Sequence, residues 1–422
     1  MDTNTQEGQS PRSVKATFRP RFVVGMDAHS RKLAISVWEC TDPWNPVRHI
    51  EIPHCDISKM RQCYAEKIPL ESITIVEAST NSRLIRNTLE ELGFRAEVVR
   101  SDAIAGKQCK RKVCDIEDAR SLALAYIHGD IKEFVWVPSD EYSEYRDILF
   151  AYRDAVKEMT RTSNRIWSIC NRCGFDFEIK AGETKAESIR EMFKQLNVTG
   201  FIKDRLEMLA KDYEYYFTRR EELDRKIAEI VLQNKAMLAL MQLPGVYYHA
   251  AFATQAIVED VHRFPTASKL AAYGGFAMIG DTSGEEEVRA KSRGGTGKPL
   301  DGAGRRDLKT YFCEAGQTVL NSCAKMRIGK WGWALVYRGK HKNKAACAVG
   351  RKLLTYSWHI MRRDPTPNRE DEAFFRRKMK RFFSELGVKR MKELGYESRE
   401  DFAEKMSKEI YGHLPERKAA KA

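Results

Sequence analysis

The hydrophobic pattern opens on Phe22-Val23-Val24-Gly25-Met26-Asp27, a short β-branched run that reads as a strand buried on both faces. A polar turn of Ala28, His29, Ser30, Arg31 and Lys32 follows, and Leu33-Ala34-Ile35-Ser36-Val37-Trp38 then alternates, so the pair predicts a hairpin. Val47 to Ile52 reads as a third strand, and a polar helical stretch comes after it. Ser72-Ile73-Thr74-Ile75-Val76-Glu77 is another buried strand, which like the first ends on a carboxylate. Asn81 to Leu92 has the pattern of a helix stopped by Gly93, with Ala96 to Val99 as a fifth strand. Three consecutive strands followed by strands alternating with helices predict an α/β sheet with an antiparallel edge.

Further on the period changes to that of a helix. Ile116, Ala119, Leu122, Ala123 and Tyr126 share one helical face. Tyr145, Leu149, Tyr152, Val156, Met159, Ser163, Ile166 and Cys170 step alternately by four and three, as do Leu206, Leu209, Tyr213, Tyr216, Leu223, Ile227 and Ile230, with Arg220 the charged member of that seam. Gly174 to Gly200 breaks the pattern between them. Two long helices folded back as a coiled coil fit this spacing, as do two helices of a globular bundle; the charged outer positions Arg219, Glu221 and Glu222 favour the extended form. Near the end, Phe374, Phe375, Met379, Phe382, Phe383 and Leu386 line a helical face amid Arg and Lys, the pattern of a helix that docks on its own protein.

Charge changes the picture next. The 422 residues carry a net charge of +14 although acidic residues are plentiful, a surplus that points to a polyanionic partner. Cys170 and Cys173 form a lone C-x-x-C without a second pair and read as ordinary thiols. No stretch reads as a signal peptide or a bilayer span, so a reducing cytoplasmic setting and no membrane partner are expected.

The acidic residues suggest chemistry. Asp27 and Glu77 each close a buried strand, where an unpaired carboxylate is costly and a metal ion is a natural partner. Asp115 and Asp118 sit three apart at the start of a helix and share a face, whereas Glu117 points elsewhere. Alone, Asp27 reads equally well as a turn cap, and the helical pair as a complement to the helix dipole. Together, four clustered acids repel unless divalent cations neutralise them.

Asp27 after a G-x-D strand, Glu77 in V-E-A-S-T, and Asp115 and Asp118 in D-I-E-D-A-R-S-L-A resemble the D-E-D-D set of IS110-family transposases. Where that family usually has K-T before its last motif, this chain has Val113-Cys114. Arg263-Phe264 and Leu270-Ala271-Ala272-Tyr273-Gly274-Gly275-Phe276 are similar to the family's R-F…L-A-A-Y-x-G-L, and Lys344-Ala345 with Arg351-Lys352-Leu353-Leu354 to its final helix. The proline that typically follows G-L is absent, and I-S-K-x-G appears as Leu300-Asp301-Gly302-Ala303-Gly304. The resemblance covers roughly residues 21 to 362.

It implies an α/β N-terminal RuvC-like domain of ribonuclease-H fold over 21–144, a helical coiled-coil linker over 145–235 and a mainly α C-terminal transposase domain over 236–364. A disordered basic tail, 1–20, and a basic helical extension, 365–422, flank these. Asp27, Glu77, Asp115 and Asp118 are then expected to hold Mg²⁺, and Ser283, in Asp281-Thr282-Ser283-Gly284, to form a covalent phosphoserine link to DNA, with Ser292 the second candidate. Donor and target DNA, a structured non-coding bridge RNA, a homodimer or homotetramer, and a nucleoid-associated prokaryotic setting are the implied partners and place. Contacts to nucleic acid are expected from the basic loops and helices: Lys110, Arg111, Lys112, Arg293, Lys298, Arg305, Arg306, Lys342 and Lys344. Leu243-Pro244-Gly245-Val246 resembles a helix-hairpin-helix turn, so Gly245 is expected to face a phosphate.

Two other classes fit the same residues. A RuvC-like metal-dependent nuclease or Holliday-junction resolvase would use water and leave Ser283 dispensable. A non-catalytic nucleic-acid-binding module would keep the acids as structure, at the cost of unrelieved repulsion within the sheet.

Overall fold

The computed structural model describes residues 20–29, 31–100, 103–104, 115–175, 189, 191, 198–277, 304–362 and 372–412. Contacts divide the chain between Ser139 and Asp140, ahead of the expected boundary at 144/145, because a helix that belongs to the second unit begins at Asp140. No helix among the described residues is long and apolar enough to cross a membrane.

The first unit is built on a five-stranded sheet of β1 (Phe22–His29), β2 (Lys32–Glu39), β3 (Asp42–Pro53), β4 (Ser72–Glu77) and β5 (Arg95–Val99) in the order β3-β2-β1-β4-β5. The β1/β2 and β2/β3 pairs are antiparallel, and β1/β4 and β4/β5 are parallel, which gives the predicted mixed sheet. Two boundaries differ from the sequence reading by more than one residue. β1 runs on past Asp27 to His29. β3 starts at Asp42 rather than Val47, because Pro43 and Pro46 lie on an edge strand, where a missing amide donor costs nothing.

Alternate residues of β1 face opposite layers. Val24 and Met26 pack with α1 (Ile57–Lys67) and α2 (Ser82–Glu91), through Met60, Tyr64, Ile85 and Leu89. Val23 packs on the other face with Leu122 and Ala123 of α3 (Asp115–His128). Gly25 shares that second face. A Cβ there would lie 1.8 Å from the Ala119 carbonyl oxygen and 2.9 Å from the Ala123 amide nitrogen, so α3 crosses β1 backbone to backbone. Asp27 and His29, two and four residues on, therefore point toward the first turn of α3.

In the second unit, α4 (Asp140–Arg172) and α5 (Phe201–Gln233) pack as an antiparallel pair. Ile166, Ile169 and Cys170 meet Leu206, Leu209 and Tyr213 at one end, while Lys226 bridges to Glu144 at 3.1 Å at the other. Each sequence-level alternative describes one end of this pair. The seam around Ile166 has its own apolar cluster, as a coiled coil does, whereas Leu149, Ile227 and Val231 join a globular core.

That core gathers α6 (Lys235–Leu240), α7 (Tyr248–Val258), α8 (Ala267–Ala271), α9 (Arg306–Ser322), α10 (Arg327–Tyr337) and α11 (Lys342–Met361). It also includes Phe375, Met379 and Phe382 of α12 (Glu372–Leu386) and Phe402 of α14 (Arg399–Tyr411), with α13 (Val388–Glu393) between them. Residues 372–412 are thus integral to the second unit, docked through the apolar stripe seen in the sequence.

One polar contact fastens this docking. The Lys378 ammonium donates to the carbonyls of Met241, Leu243 and Val246 at 2.8, 2.5 and 2.7 Å, within the turn after α6. Lys378→Met is expected to strand those carbonyls at a cost of about 3 kcal/mol, read as a lower melting temperature. An unchanged melt would show that water replaces the ammonium.

Candidate metal centre

The site is assembled at the end of β1. Asp27 is buried, 1 % exposed, and among the described residues its Oδ2 accepts no hydrogen bond of good geometry. The His29 ring approaches from the same strand face, with Nε2 3.1 Å from Asp27 Oδ2. Asp115, in the first turn of α3, completes a group whose ligand atoms all lie within 4.8 Å of one another. Opposite His29 in the β1/β2 register is Lys32, whose Nζ lies 2.6 Å from Glu51 and 3.3 Å from Asp115 Oδ2.

Glu77 and Asp118 act on the same carboxylate. β1 and β4 run parallel with Met26 opposite Val76, so Asp27 and Glu77 occupy the next positions of neighbouring strands. Burial raises the Asp27 pKa most. His29 opposes that shift, while the charges of Glu77, Asp118 and Asp115 add to it, and the net result is a carboxyl pushed up to about 6. Glu77 and Asp118 thus act on Asp27 through their charge, whereas the group within ligand range of one another is Asp27, His29 and Asp115. Glu117, expected to point elsewhere, is exposed and pairs with Arg120 at 3.7 Å.

A buried carboxylate faced by the His29 ring and by other carboxylates suits a hard divalent cation that takes oxygen ligands. Such a cation would be held by Asp27 and Asp115, with Glu77 and Asp118 within its field, and His29 offers a nitrogen. Sequence reading missed His29 and Lys32 by assigning both to a turn. Strand alternation was the available signal, since residues 27 and 29 of one strand share a face.

The remaining expected site residues scatter differently. Lys110, Arg111, Lys112, Ser283, Ser292, Arg293 and Lys298 lie outside the described residues. Gly245 has φ +77, and a Cβ there would stand 2.3 Å from the Ala315 carbonyl oxygen. Its turn is thus packed against α9 on one side and bonded to Lys378 through its carbonyls. Arg305 is half-buried, with Nη2 3.6 Å from Asp307 and its backbone amide donating to the Tyr273 carbonyl at 2.7 Å. Arg306, Lys342 and Lys344 are exposed.

The motif residues Arg263, Phe264 and Tyr273 have a structural role. The Arg263 guanidinium bonds the Val258 and Ile257 carbonyls at the end of α7, and lies 4.5 and 4.7 Å from the Phe264 and Tyr273 ring centres. Just beyond, a Cβ on Gly304 (φ +95) would stand 2.7 Å from the Gly275 nitrogen. The chain that leaves at Ala277 thus returns beside its point of departure, and residues 278–303, including Ser283, are spliced in at this pinch.

Residues 237–328, less than half of the chain, match the family model of the transposase IS116/IS110/IS902 family. The match spans the Lys378-bound turn, the Arg263 lock and the Gly275–Gly304 pinch, and it supports an insertion-sequence transposase, a DNA-cleaving and recombining enzyme. No curated protein matches the chain.

Proposed function

We propose that the protein is an RNA-guided DNA recombinase of an insertion sequence, in which the acidic cluster holds the metal and Ser283 is the covalent nucleophile. The observation that carries this reading is Asp27, a buried carboxylate grouped with His29 and Asp115 and acted on by the charges of Glu77 and Asp118. The transposase match over residues 237–328 supports it independently, from a different part of the chain. The mixed sheet with carboxylates at the ends of adjacent parallel strands supports a RuvC-like arrangement for the first unit.

In this reading Asp27, Glu77, Asp115 and Asp118 hold Mg²⁺, which when bound polarises the scissile phosphate and stabilises its developing charge. His29 and Lys32 orient the ligands, His29 through Asp27 and Lys32 through Asp115. Ser283 forms an Oγ–P bond as the bond from phosphorus to the leaving strand oxygen breaks. Attack by a strand hydroxyl on that phosphoserine rejoins DNA and returns the serine, so exchange needs no nucleotide hydrolysis. A bridge RNA supplies sequence recognition by pairing with donor and target DNA, while the protein, as a homodimer or homotetramer, holds backbones. Arg306, Lys342 and Lys344 are exposed cations placed for such contacts.

Covalent chemistry gives the test. Full-length protein, its copurifying RNA, Mg²⁺ and DNA carrying the element's ends are expected to yield an adduct that survives denaturation. Ser283→Ala abolishes the adduct and Ser292→Ala leaves it. Cleaved DNA with free ends and no adduct would replace this reading with a hydrolytic nuclease.

A further inference from the structure

The charge of this protein is unevenly spread. Residues 315–362 contain ten Lys and Arg and no Asp or Glu, close to the surplus of the whole chain. This acid-free stretch covers the end of α9, all of α10 and all of α11. Every cation from Lys325 to Lys344 is exposed, and none of them pairs with a described acidic residue.

Residues 372–412 provide the contrast. They are also basic by composition, yet their cations are answered locally: Arg376 by Glu372, Lys380 by Glu400, Arg381 by Glu385, Lys405 by Asp401 and Lys408 by Glu404, all at about 3 Å. Much of the charge on that surface is answered by its own acids. Among the described residues no acid answers the α10–α11 surface, which leaves it open to a polyanion.

Its aromatic residues narrow the kind of polyanion. Tyr337, at the end of α10, is 81 % exposed, and Trp331 and Tyr356 are also exposed. Trp333 is tied down by an Nε1 bond to the Leu320 carbonyl at 2.9 Å, and Tyr337 lies against its ring at 5.8 Å. Lys342 and Lys352 stand over the Trp333 and Trp331 rings at 5.6 and 4.4 Å. Cations thus cover one face of Trp331 and of Trp333, on a surface where Tyr337 is left mostly to solvent. A duplex buries its base faces within the stack and offers such rings nothing to stack on, whereas a single strand presents both phosphates and bare bases.

We infer that the α10–α11 surface is a platform for single-stranded nucleic acid, with phosphates along the exposed lysines and bases stacked on Tyr337 and Trp331. This rests on the nucleic-acid reading of the protein but not on its cleavage chemistry. It assigns this surface to unpaired strand rather than to duplex, and adds aromatic contacts to the expected lysine contacts.

Binding of full-length protein to labelled oligothymidylate, oligouridylate and blunt duplex, each of about sixteen units, tests it in the presence of EDTA. Tyr337→Ala and Trp331→Ala are each expected to weaken single-strand binding about tenfold and leave duplex binding within about twofold. Tyr337→Trp restores the single-strand affinity. Combined Lys340→Gln, Lys342→Gln and Lys344→Gln lowers the salt slope for single strands by about two. The ratio of oligouridylate to oligothymidylate affinity tells whether RNA or DNA is the better occupant. Equal losses on duplex and single strand, or undiminished single-strand binding by both aromatic variants, would overturn the inference. Because metal is chelated, the readout is binding alone, so failure of the recombinase reading leaves this result intact.

Discussion

Gly25→Ala destabilises the first unit by about 3 kcal/mol or more, at the upper end for a single added methyl group. The added carbon meets the backbone oxygen of Ala119 at 1.8 Å, and a main-chain carbonyl cannot rotate aside as a side chain does. Either α3 lifts from β1 or β1 is displaced within its sheet. Lifting α3 also withdraws Asp115 and Asp118 from Asp27, so any surviving protein loses cleavage activity along with stability. Thermal unfolding and hydrogen exchange of the β1 amides read the first effect, and a DNA-cleavage assay reads the second. A variant that melts normally and cleaves normally would mean that α3 does not sit against β1 backbone to backbone.

Asp27→Asn is expected to move stability and activity in opposite directions. The Asp27 carboxyl is raised from its ordinary 3.8 to about 6, so the folded state holds the proton more tightly than the unfolded chain. Its contribution is fully present below pH 3.8 and is lost as pH rises through about 6. The metal-free protein therefore forfeits on the order of 3 kcal/mol between those limits. An amide in place of the carboxylate carries no charge to repel Glu77, Asp115 and Asp118, so the variant is more stable than the parent above pH 6 without metal. It also loses a ligand, so Mg²⁺ no longer raises its melting temperature, and cleavage falls by orders of magnitude. Melting curves at pH 4 and pH 7, with and without Mg²⁺, separate these effects. A parent protein whose metal-free stability is flat across that window would remove the basis for assigning Asp27 this role.

What sequence reveals here depends on how local the determining interaction is. The β1/β2 hairpin and β4 were legible because unbroken apolar runs ending at turns specify buried strands by themselves. The start of β3 was not, since Pro43 and Pro46 argue against a strand until its edge position is known. The four acids of the centre were selected from strand ends and helical spacing, but His29 escaped because its polar neighbours resembled a turn. Gly25 was visible as a glycine in a strand, yet its reason, the Ala119 carbonyl, lies far away along the chain. The Lys378 contact had no sequence signal at all: a lysine among other basic residues looks solvated until three carbonyls are found around it.

The pinch at Gly275 and Gly304 bears on how this chain tolerates change. Its two strands of entry and exit are already fixed side by side by the helical core, with the Arg305 amide bonded to the Tyr273 carbonyl. Closing a loop between fixed ends costs only about 0.6 kcal/mol more for each doubling of its length. The entropic cost of a longer or shorter connection between Ala277 and Gly304 is therefore small. The core acts as a socket whose two rims, Gly275 and Gly304, are held in place by residues outside the connection between them.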